Sequence, residues 1–212
     1  MPDRPLFESL EGLRGTGKST IAPMLAAARG AVLVPTVPLF YQSLRRQVDM
    51  RDNVEARMCF YLSALFTAAD EIHRYLGAGI PVVVESYFAR CIATHRAFGT
   101  QLGITLPPDL PQPVAYQLLC TKDERQRRLT ERIKPASCWD ALGEETADRI
   151  TDAYAQFPMH RVDTTSLRPD QVVQAILATD RKGANRGDPE PVGAHPHVLP
   201  PVPRHAEGAC LR

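Results

Sequence analysis

The sequence predicts an α/β fold built on a parallel sheet. Short apolar runs alternate along the chain with longer segments in which apolar residues recur at helical spacing. The five runs predicted to be strands are residues 6–10, 31–34, 81–85, 114–120 and 161–163. Their separation by helical segments favours parallel strands, because parallel neighbours need long crossover connections.

Local signals bound several of the predicted helices. Gly30 is expected to end the helix that follows the first strand, since glycine adopts the left-handed conformation at a helix end. Asn53 is a predicted N-cap for a long helix over residues 54–76, with a glycine stop after it. The letters TKDE at 121–124 predict a capping box, and Pro169 suits the first turn of a last helix.

The composition indicates one soluble domain of medium size. The chain has 212 residues, 44% of them hydrophobic and 23% charged, with a formal net charge of +1. This balance predicts no general attraction to nucleic acid or membrane. The first ten residues contain no apolar run typical of a signal peptide, and no stretch approaches the length of a membrane span. Five cysteines without a CxxC pair predict reduced thiols and a cytoplasmic location.

The composition changes near residue 180. Residues 1–180 are predicted to form the folded domain, and residues 181–212 form a tail with six prolines and four glycines. Such a segment lacks the periodicity of a packed element, so disorder is expected. A proline-rich docking segment is the alternative.

The stretch EGLRGTGKST, residues 11–20, predicts a phosphate-binding loop. Gly12 to Ser19 match G-x-x-x-x-G-K-[ST], between a predicted strand and a predicted helix. Glycines let backbone N–H groups turn toward phosphate oxygens, and the helix N-terminus favours an anion. Lys18 is expected to bind the β- and γ-phosphates of ATP, and Ser19 to bind Mg²⁺. The predicted nucleotide-binding residues are Gly12, Leu13, Arg14, Gly15, Thr16, Gly17, Lys18, Ser19 and Thr20. An ordinary glycine-rich turn is the alternative, and it does not explain GKST.

A carboxylate follows the third predicted strand. In VVVES, residues 82–86, Glu85 ends an apolar run, which is the pattern of a metal-binding acid in phosphate-loop proteins. Glu85 is therefore a candidate for holding Mg²⁺ through water or for accepting a proton from an attacking hydroxyl. A solvated strand end is the alternative.

An arginine-rich helix is predicted to carry a lid. Arg128 and Arg132 lie four residues apart, which places them on one helix face. Phosphoryl transfer needs positive charge around the γ-phosphate, often supplied by a mobile segment. The following PASCWDALGEE, which contains the single tryptophan Trp139, is expected to be a loop. A charged and solvated helix face is the alternative.

These motifs, in this order, resemble the thymidylate kinase family of phosphate-loop nucleoside and nucleotide kinases. The stretches that carry the resemblance are FESLEGLRGTGKST, VVVESYFARCIATH, CTKDERQRRLTER and ADRITDAYAQF with HRVDTTSLRPDQVVQAI. The resemblance covers about residues 5–180. It implies a three-layer fold with a five-stranded parallel sheet and a helical lid, ATP and Mg²⁺ as cofactors, a small-molecule acceptor and often a homodimer.

The departures from that family fall on the acceptor side. Arg14 stands where the family usually carries an acid that binds the sugar 3′-hydroxyl. Residues 36–38 stand where the family has an Arg-Glu-Pro element, and Ser86 replaces the arginine of its Asp-Arg-Tyr element. Arg14 and Arg90 are the candidates to compensate for the missing arginines. Glu11 precedes the first glycine and is also placed at the acceptor side.

The acceptor base is expected to lie on the long helix. The resemblance gives Phe66 a base-stacking role and puts Asp70 where the family has an arginine that binds thymine. An ionised carboxylate accepts hydrogen bonds and cannot donate them, so Asp70 would suit an amino group better than a carbonyl. His73 and His95 fall in predicted helices, where structural roles are expected.

Three functions follow from these residues. The first is an ATP-dependent phosphotransferase acting on a nucleotide or nucleoside-like acceptor. The second is a kinase of an unphosphorylated hydroxyl on a nucleoside or natural product, as in the related deoxynucleoside kinases, with Glu85 or Glu11 as the base. The third is a nucleotide-binding regulatory module without turnover, which the retained lid arginines disfavour.

Overall fold

A five-stranded parallel sheet organises the fold. The computed structural model describes residues 6–131 and 137–183, with side chains as far as residue 179. The strands are β1 (Phe7–Glu11), β2 (Val32–Val34), β3 (Val82–Glu85), β4 (Val114–Leu119) and β5 (His160–Asp163). They run parallel in the order β2-β3-β1-β4-β5. The predicted α/β class is confirmed, and the predicted strand bounds agree with the observed ones to within one residue.

Helices cover both faces of the sheet. A short 3₁₀ helix spans Leu39–Tyr41. The described α-helices are α1 (Lys18–Arg29), α2 (Gln42–Asp49), α3 (Val54–Gly77), α4 (Phe88–Ala97), α5 (Lys122–Thr130), α6 (Cys138–Glu145), α7 (Ala147–Tyr154) and α8 (Pro169–Gly183).

Two hydrophobic cores lie on opposite sides of the sheet. Val82 and Val84 of β3 pack with α3 and α4 in one core, whereas Val83 packs with α1 and α8 in the other. Successive side chains of a strand point to opposite faces, so a strand covered on both sides is apolar throughout. This explains the unbroken VVV run and places the polar Glu85 at the open carboxyl end of the strand.

The helix ends confirm some sequence signals and correct others. Gly30 ends α1 in the left-handed conformation, with φ 60°, and Asn53 caps α3 by accepting from the Ala56 N–H at 2.7 Å. Gly77, expected as the stop, is the last residue of α3 instead. The predicted capping box at residues 121–124 is wrong: the Thr121 side chain makes no capping hydrogen bond, and Glu124 binds Arg128.

The segment expected to be a loop after the arginine-rich helix is helical from Cys138. Ser137 and Asp140 form a reciprocal capping box there, with N–H to side-chain oxygen distances of 2.9 and 3.2 Å. Trp139 is buried and stacks on Phe98, with ring centroids 5.5 Å apart. The helical part of the predicted lid is therefore α6 as well as α5.

The last helix continues past the predicted domain boundary. The α8 backbone runs to Gly183, and the predicted tail beyond it lies outside the described residues. The cysteines at 59, 91, 120 and 138 are free thiols. None of the helices in the described part of the chain combines the length and hydrophobicity needed to cross a membrane.

Candidate functional site

The loop between β1 and α1 is shaped for close approach of an anion. Gly12, Gly15 and Gly17 have φ angles of 130°, 86° and 102°, in the region that favours glycine. A Cβ at Gly12 would lie 2.5 Å from the Leu118 carbonyl oxygen. The loop ends at the N-terminus of α1, where the first backbone N–H groups have no helical partner. These residues therefore fit the phosphates of a nucleotide.

Lys18 lies inside the curve of this loop. Its Nζ donates to the carbonyl oxygens of Gly12, at 2.9 Å, and Leu13, at 2.8 Å. The segment after β5 also holds the loop, because the Thr164 hydroxyl donates to the Thr16 carbonyl at 3.1 Å. Tyr154 contributes a second anchor by accepting from the Gly12 N–H at 3.2 Å. The lysine is thus held where phosphate oxygens would come.

A cavity of about 750 Å³ opens beside the loop, at the carboxyl ends of β2 and β3. Ligands of open parallel sheets bind in this kind of crevice. Five cationic side chains and two carboxylates line it, namely Arg14, Lys18, Arg45, Arg57, Arg90, Glu85 and Asp140. This excess of positive charge suits an anionic ligand.

The predicted metal-binding pair reaches this cavity. Ser19 and Glu85 are exposed, and both line its wall. Ser86 follows with φ 68°, the one positive φ among the described residues other than glycine. Such strain is concentrated at functional sites, and here it turns the chain sharply at the end of β3. A hydroxyl and a carboxylate are ligands that suit Mg²⁺.

Glu11 lies behind the loop rather than in the cavity wall. Its Oε1 accepts from the Tyr87 N–H at 2.8 Å, and its Oε2 has no partner among the described residues. Burial raises the pKa of the Glu11 carboxyl to about 7, although the Tyr87 N–H, Lys18 and Arg90 all lower it. The acceptor-binding role of Glu11 stays a prediction, and its carboxylate is not among the groups that line the cavity.

Arg14 and Arg90 do line the cavity, as expected, and each is held in place. The Arg14 Nε lies 3.4 Å from the Asp140 Oδ1 of α6. The Arg90 Nη1 donates to the Gly12 carbonyl at 2.6 Å. The loop residue that departs from the resembled family thus contacts α6.

Phe66 and Asp70, the predicted base-binding pair, are not among the residues that line the cavity. The Phe66 ring packs on Phe88 with centroids 5.0 Å apart, and Asp70 is exposed. The cavity face of α3 instead presents Arg57, Tyr61 and Leu65, which recur every four residues. Residues 66 and 70 each follow a position of this four-residue series by one residue, which turns their side chains about 100° around the helix from the cavity face.

Arg57 is a cavity residue that the sequence analysis did not predict. It donates from Nε to Asp49 at 3.0 Å and from Nη1 to the His95 Nε2 at 2.9 Å. Its guanidinium lies 4.6 Å from the centroid of Tyr61 and 4.7 Å from that of Trp139. The sequence signal for these residues is the four-residue spacing of Arg57, Tyr61 and Leu65, which places them on one helix face.

His95 is neutral in this setting. Burial and the adjacent Arg57 lower its pKa to about 4. The Nδ1 lies 2.7 Å from the Cys91 carbonyl oxygen, so it carries the proton and donates. The Nε2 is then free to accept from Arg57. The predicted structural role of His95 thus extends to positioning a cavity guanidinium.

Arg125 and Arg128 of α5 have different partners. Arg128 lies next to the loop and donates from Nη2 to the Thr164 carbonyl at 2.7 Å, and Arg132 lies outside the described residues. Arg125, which was not predicted, is buried and binds both carboxylate oxygens of Glu144 at 2.9 Å. It also donates to the Arg14 carbonyl at 2.9 Å. Arg125 therefore joins α5, α6 and the loop.

Comparisons with known proteins support the fold. No family model matches the chain, and no curated protein matches it. A solved structure of thymidylate kinase from Candida albicans superposes with a TM-score of 0.69 at 16% sequence identity. The match covers 86% of this chain and 93% of that one. At this identity the likeness establishes the phosphate-loop kinase fold.

Proposed function

We propose that this chain is an ATP-dependent phosphotransferase that moves the γ-phosphoryl group of Mg·ATP to a nucleotide or nucleoside-like acceptor. The observation that carries the proposal is the shared cavity: Lys18, Glu85 and Arg90 all line it. A phosphate chain held by the loop would end in that cavity. An acceptor lying there would be in reach of the last phosphate, and positioning supplies most of the catalysis of phosphoryl transfer.

The donor side follows from the loop. Mg·ATP supplies the transferable phosphoryl group when bound. Lys18 and the loop N–H groups bind phosphate oxygens, and Lys18 neutralises the charge that develops on them. Ser19 and Glu85 are the side chains that would hold Mg²⁺, since both are exposed in the same wall. Arg128 stands near the loop, where a Cβ added at Gly17 would lie 4.0 Å from its Nη1.

The acceptor side favours Glu85 over Glu11 as the group that orders or deprotonates a hydroxyl. Glu85 lines the cavity. Glu11 is fully buried behind the loop and is bonded to Tyr87. A general base must come within hydrogen-bond reach of the proton it removes. Arg128, and Arg132 by resemblance, are proposed to add positive charge from the lid.

An unphosphorylated hydroxyl acceptor is the second candidate. Thr36, which stands where the family's Arg-Glu-Pro element has its phosphate-binding arginine, favours it. The cavity arginines Arg14, Arg57 and Arg90 favour an acceptor that carries a negative charge. The two candidates predict different acceptor preferences and share one donor site.

The test is ADP formation from Mg·ATP against a panel of acceptors. The panel contains dTMP and other monophosphates, their nucleosides, and amino-bearing sugar alcohols. ADP formation that rises with one acceptor class supports the proposal and chooses between the candidates. Tight ATP binding without turnover on any acceptor would contradict it and would favour a regulatory nucleotide-binding module.

The oligomeric state and the cellular location of the protein are also predictions. A homodimer, which the resemblance implies, stays a prediction that sedimentation velocity would check. We expect the small-molecule acceptor to be the relevant partner, and we expect the protein to act in the cytoplasm without binding nucleic acid or membrane.

A further inference from the structure

A second cavity of about 180 Å³ lies between the phosphate loop and α6. It shares Arg14, Arg45, Arg57 and Arg90 with the larger cavity, and Trp139 forms part of its own wall. The volume exceeds what a single water needs. The smaller cavity is therefore an extension of the acceptor site beneath the lid helix.

Two guanidiniums in this extension share one carboxylate. The Arg57 Nε lies 3.0 Å from the Asp49 Oδ1, and the Arg45 Nε lies 3.5 Å from the Asp49 Oδ2. Tyr61 donates its hydroxyl proton to the same carboxylate, at 3.1 Å to Oδ2. The cluster of Arg45, Asp49 and Arg57 thus keeps one positive charge that its own carboxylate does not balance.

The neighbouring charged groups do not supply the missing negative charge. Asp140 of α6 pairs with Arg14, and Glu144 pairs with Arg125. His95, from α4, is neutral and accepts from Arg57. The charge is partly withdrawn from water, because the Arg57 side chain is only 13% exposed. A partly buried charge of this kind favours an anion in contact with it.

Arg57 is held by two hydrogen bonds and two aromatic rings, and it retains N–H groups that can bind a ligand. Two acceptors, Asp49 and His95, and two rings, Tyr61 and Trp139, hold its guanidinium. Its Nη2 has no hydrogen-bond partner within the described residues. A guanidinium carries five N–H groups in a planar fork that matches a carboxylate or phosphate. Arg57 is therefore a preorganised donor at the cavity wall.

We propose that Arg57, together with Arg45, binds an anionic group, a carboxylate or a phosphate, on the acceptor. This rests on the proposed phosphotransferase function and specifies the acceptor class. Two further polar groups support it: the Trp139 Nε1 and the Thr94 Oγ1 are buried without a partner among the described residues. Both residues line the extension, so a modest adjustment would offer their hydrogen bonds to the same group.

The first test measures anion binding without turnover. Trp139 is the single tryptophan and lies 4.7 Å from the Arg57 guanidinium, so its fluorescence reports on the extension. Inorganic phosphate is titrated into Lys18→Ala, which removes the competing lysine of the loop, and acetate is titrated in parallel. We expect a saturable change with phosphate, acetate or both, which identifies the preferred group.

The matched variants are made in the same Lys18→Ala background. Arg57→Gln should weaken binding at least 10-fold, whereas Arg46→Gln, an exposed arginine on the same helix as Arg45, should leave it unchanged. Asp49→Asn should strengthen binding several-fold, because it removes the competing carboxylate. Thermal melts establish that each variant folds, and Arg57→Lys replaces Arg57→Gln if the latter does not.

Opposite shifts in Arg57→Gln and Asp49→Asn support the proposal. Binding that is equal in Arg57→Gln and its parent, or no stronger in Asp49→Asn, overturns it. Because this readout needs no turnover, it is distinct from failure of the phosphotransferase itself. In the active enzyme, Arg57→Gln should raise the KM for the acceptor at least 10-fold and leave the KM for ATP unchanged.

Discussion

The Arg14 Nε of the phosphate loop and the Asp140 Oδ1 of α6 lie 3.4 Å apart and form an ion pair. In the family that this chain resembles, the position of Arg14 usually carries an acid directed at the acceptor sugar. Here the side chain pairs with α6, the helix that carries Trp139. The residue that departs from the family pattern in the sequence therefore joins the loop to α6.

Breaking this pair should open the lid without unfolding the domain. Both side chains are partly exposed, at 21% and 27%, so Asp140→Asn should cost less than about 1 kcal/mol of stability. The variant should increase acrylamide quenching of Trp139, and high salt should do the same in the wild type. Asp152→Asn, on the exposed face of α7, is the control. Equal quenching in Asp140→Asn and the wild type would show that the pair does not hold α6.

Removing the loop lysine should abolish transfer while the fold persists. The Lys18 Nζ donates to the loop carbonyls of Gly12 and Leu13, and the domain core lies elsewhere. Loss of a preorganised charge of this type typically costs about 100-fold or more in kcat. Lys122→Ala, an exposed lysine at the start of α5, is the matched control. Turnover by Lys18→Ala at the rate of the control would refute the loop assignment.

Two buried groups should give opposite pH dependences of stability. His95 stays neutral in the fold down to about pH 4 but is protonated below about 6.5 when unfolded, so its contribution is lost as the pH falls through that range. Glu11 keeps its proton in the fold up to about pH 7 but releases it near 4.5 when unfolded, so its contribution is lost as the pH rises. Between about pH 4.5 and 6.5 the two slopes, each about 1.4 kcal/mol per pH unit, should cancel.

Single variants should separate these slopes in urea unfolding. Relative to the wild type, His95→Gln should lose stability as the pH rises from 4.5 to 6.5, and Glu11→Gln should gain it over the same range. Glutamine retains a hydrogen-bond acceptor in both places. Parallel pH profiles for the wild type and both variants would contradict the described environments of Glu11 and His95.

Gly12 should tolerate no side chain. A Cβ there would lie 2.5 Å from the Leu118 carbonyl oxygen, and the φ of 130° is strained for any other residue. Gly12→Ala should lower the free energy of unfolding by roughly 2 kcal/mol and weaken ATP binding. Gly103→Ala is the comparison, because nothing lies within 4 Å of its added Cβ. Equal stability of the two variants would count against the loop geometry.

The sheet and the phosphate loop could be predicted from the sequence, because each is specified by residues that are adjacent in the chain. The VVV run fixes β3, and the GKST letters fix the start of α1. The acceptor wall depends on helical phase, which a motif match does not measure. Phe66 and Asp70 were predicted to lie in the site. They are displaced by about 100° around α3 from the face of Arg57, Tyr61 and Leu65, which line the cavity.

The lid shows a second limit of sequence reasoning. The letters TKDE suit a capping box, yet Glu124 binds Arg127 and Arg128 instead, because a charged partner one turn away competes for the carboxylate. The true capping box begins at Ser137, in a segment that was expected to be a loop. The bond from Arg125 to the Arg14 carbonyl joins residues 111 positions apart, which no local pattern predicts.

The most direct test of the central claim follows the phosphoryl group itself. ATP labelled in its γ-phosphate is incubated with Mg²⁺, the wild-type protein and the best acceptor of the panel, and the products are separated. Phosphoryl transfer predicts that label appears on the acceptor in amounts equal to the ADP formed, and that Lys18→Ala transfers none. Label that stays in ATP, or that appears only as inorganic phosphate whatever the acceptor, would contradict it.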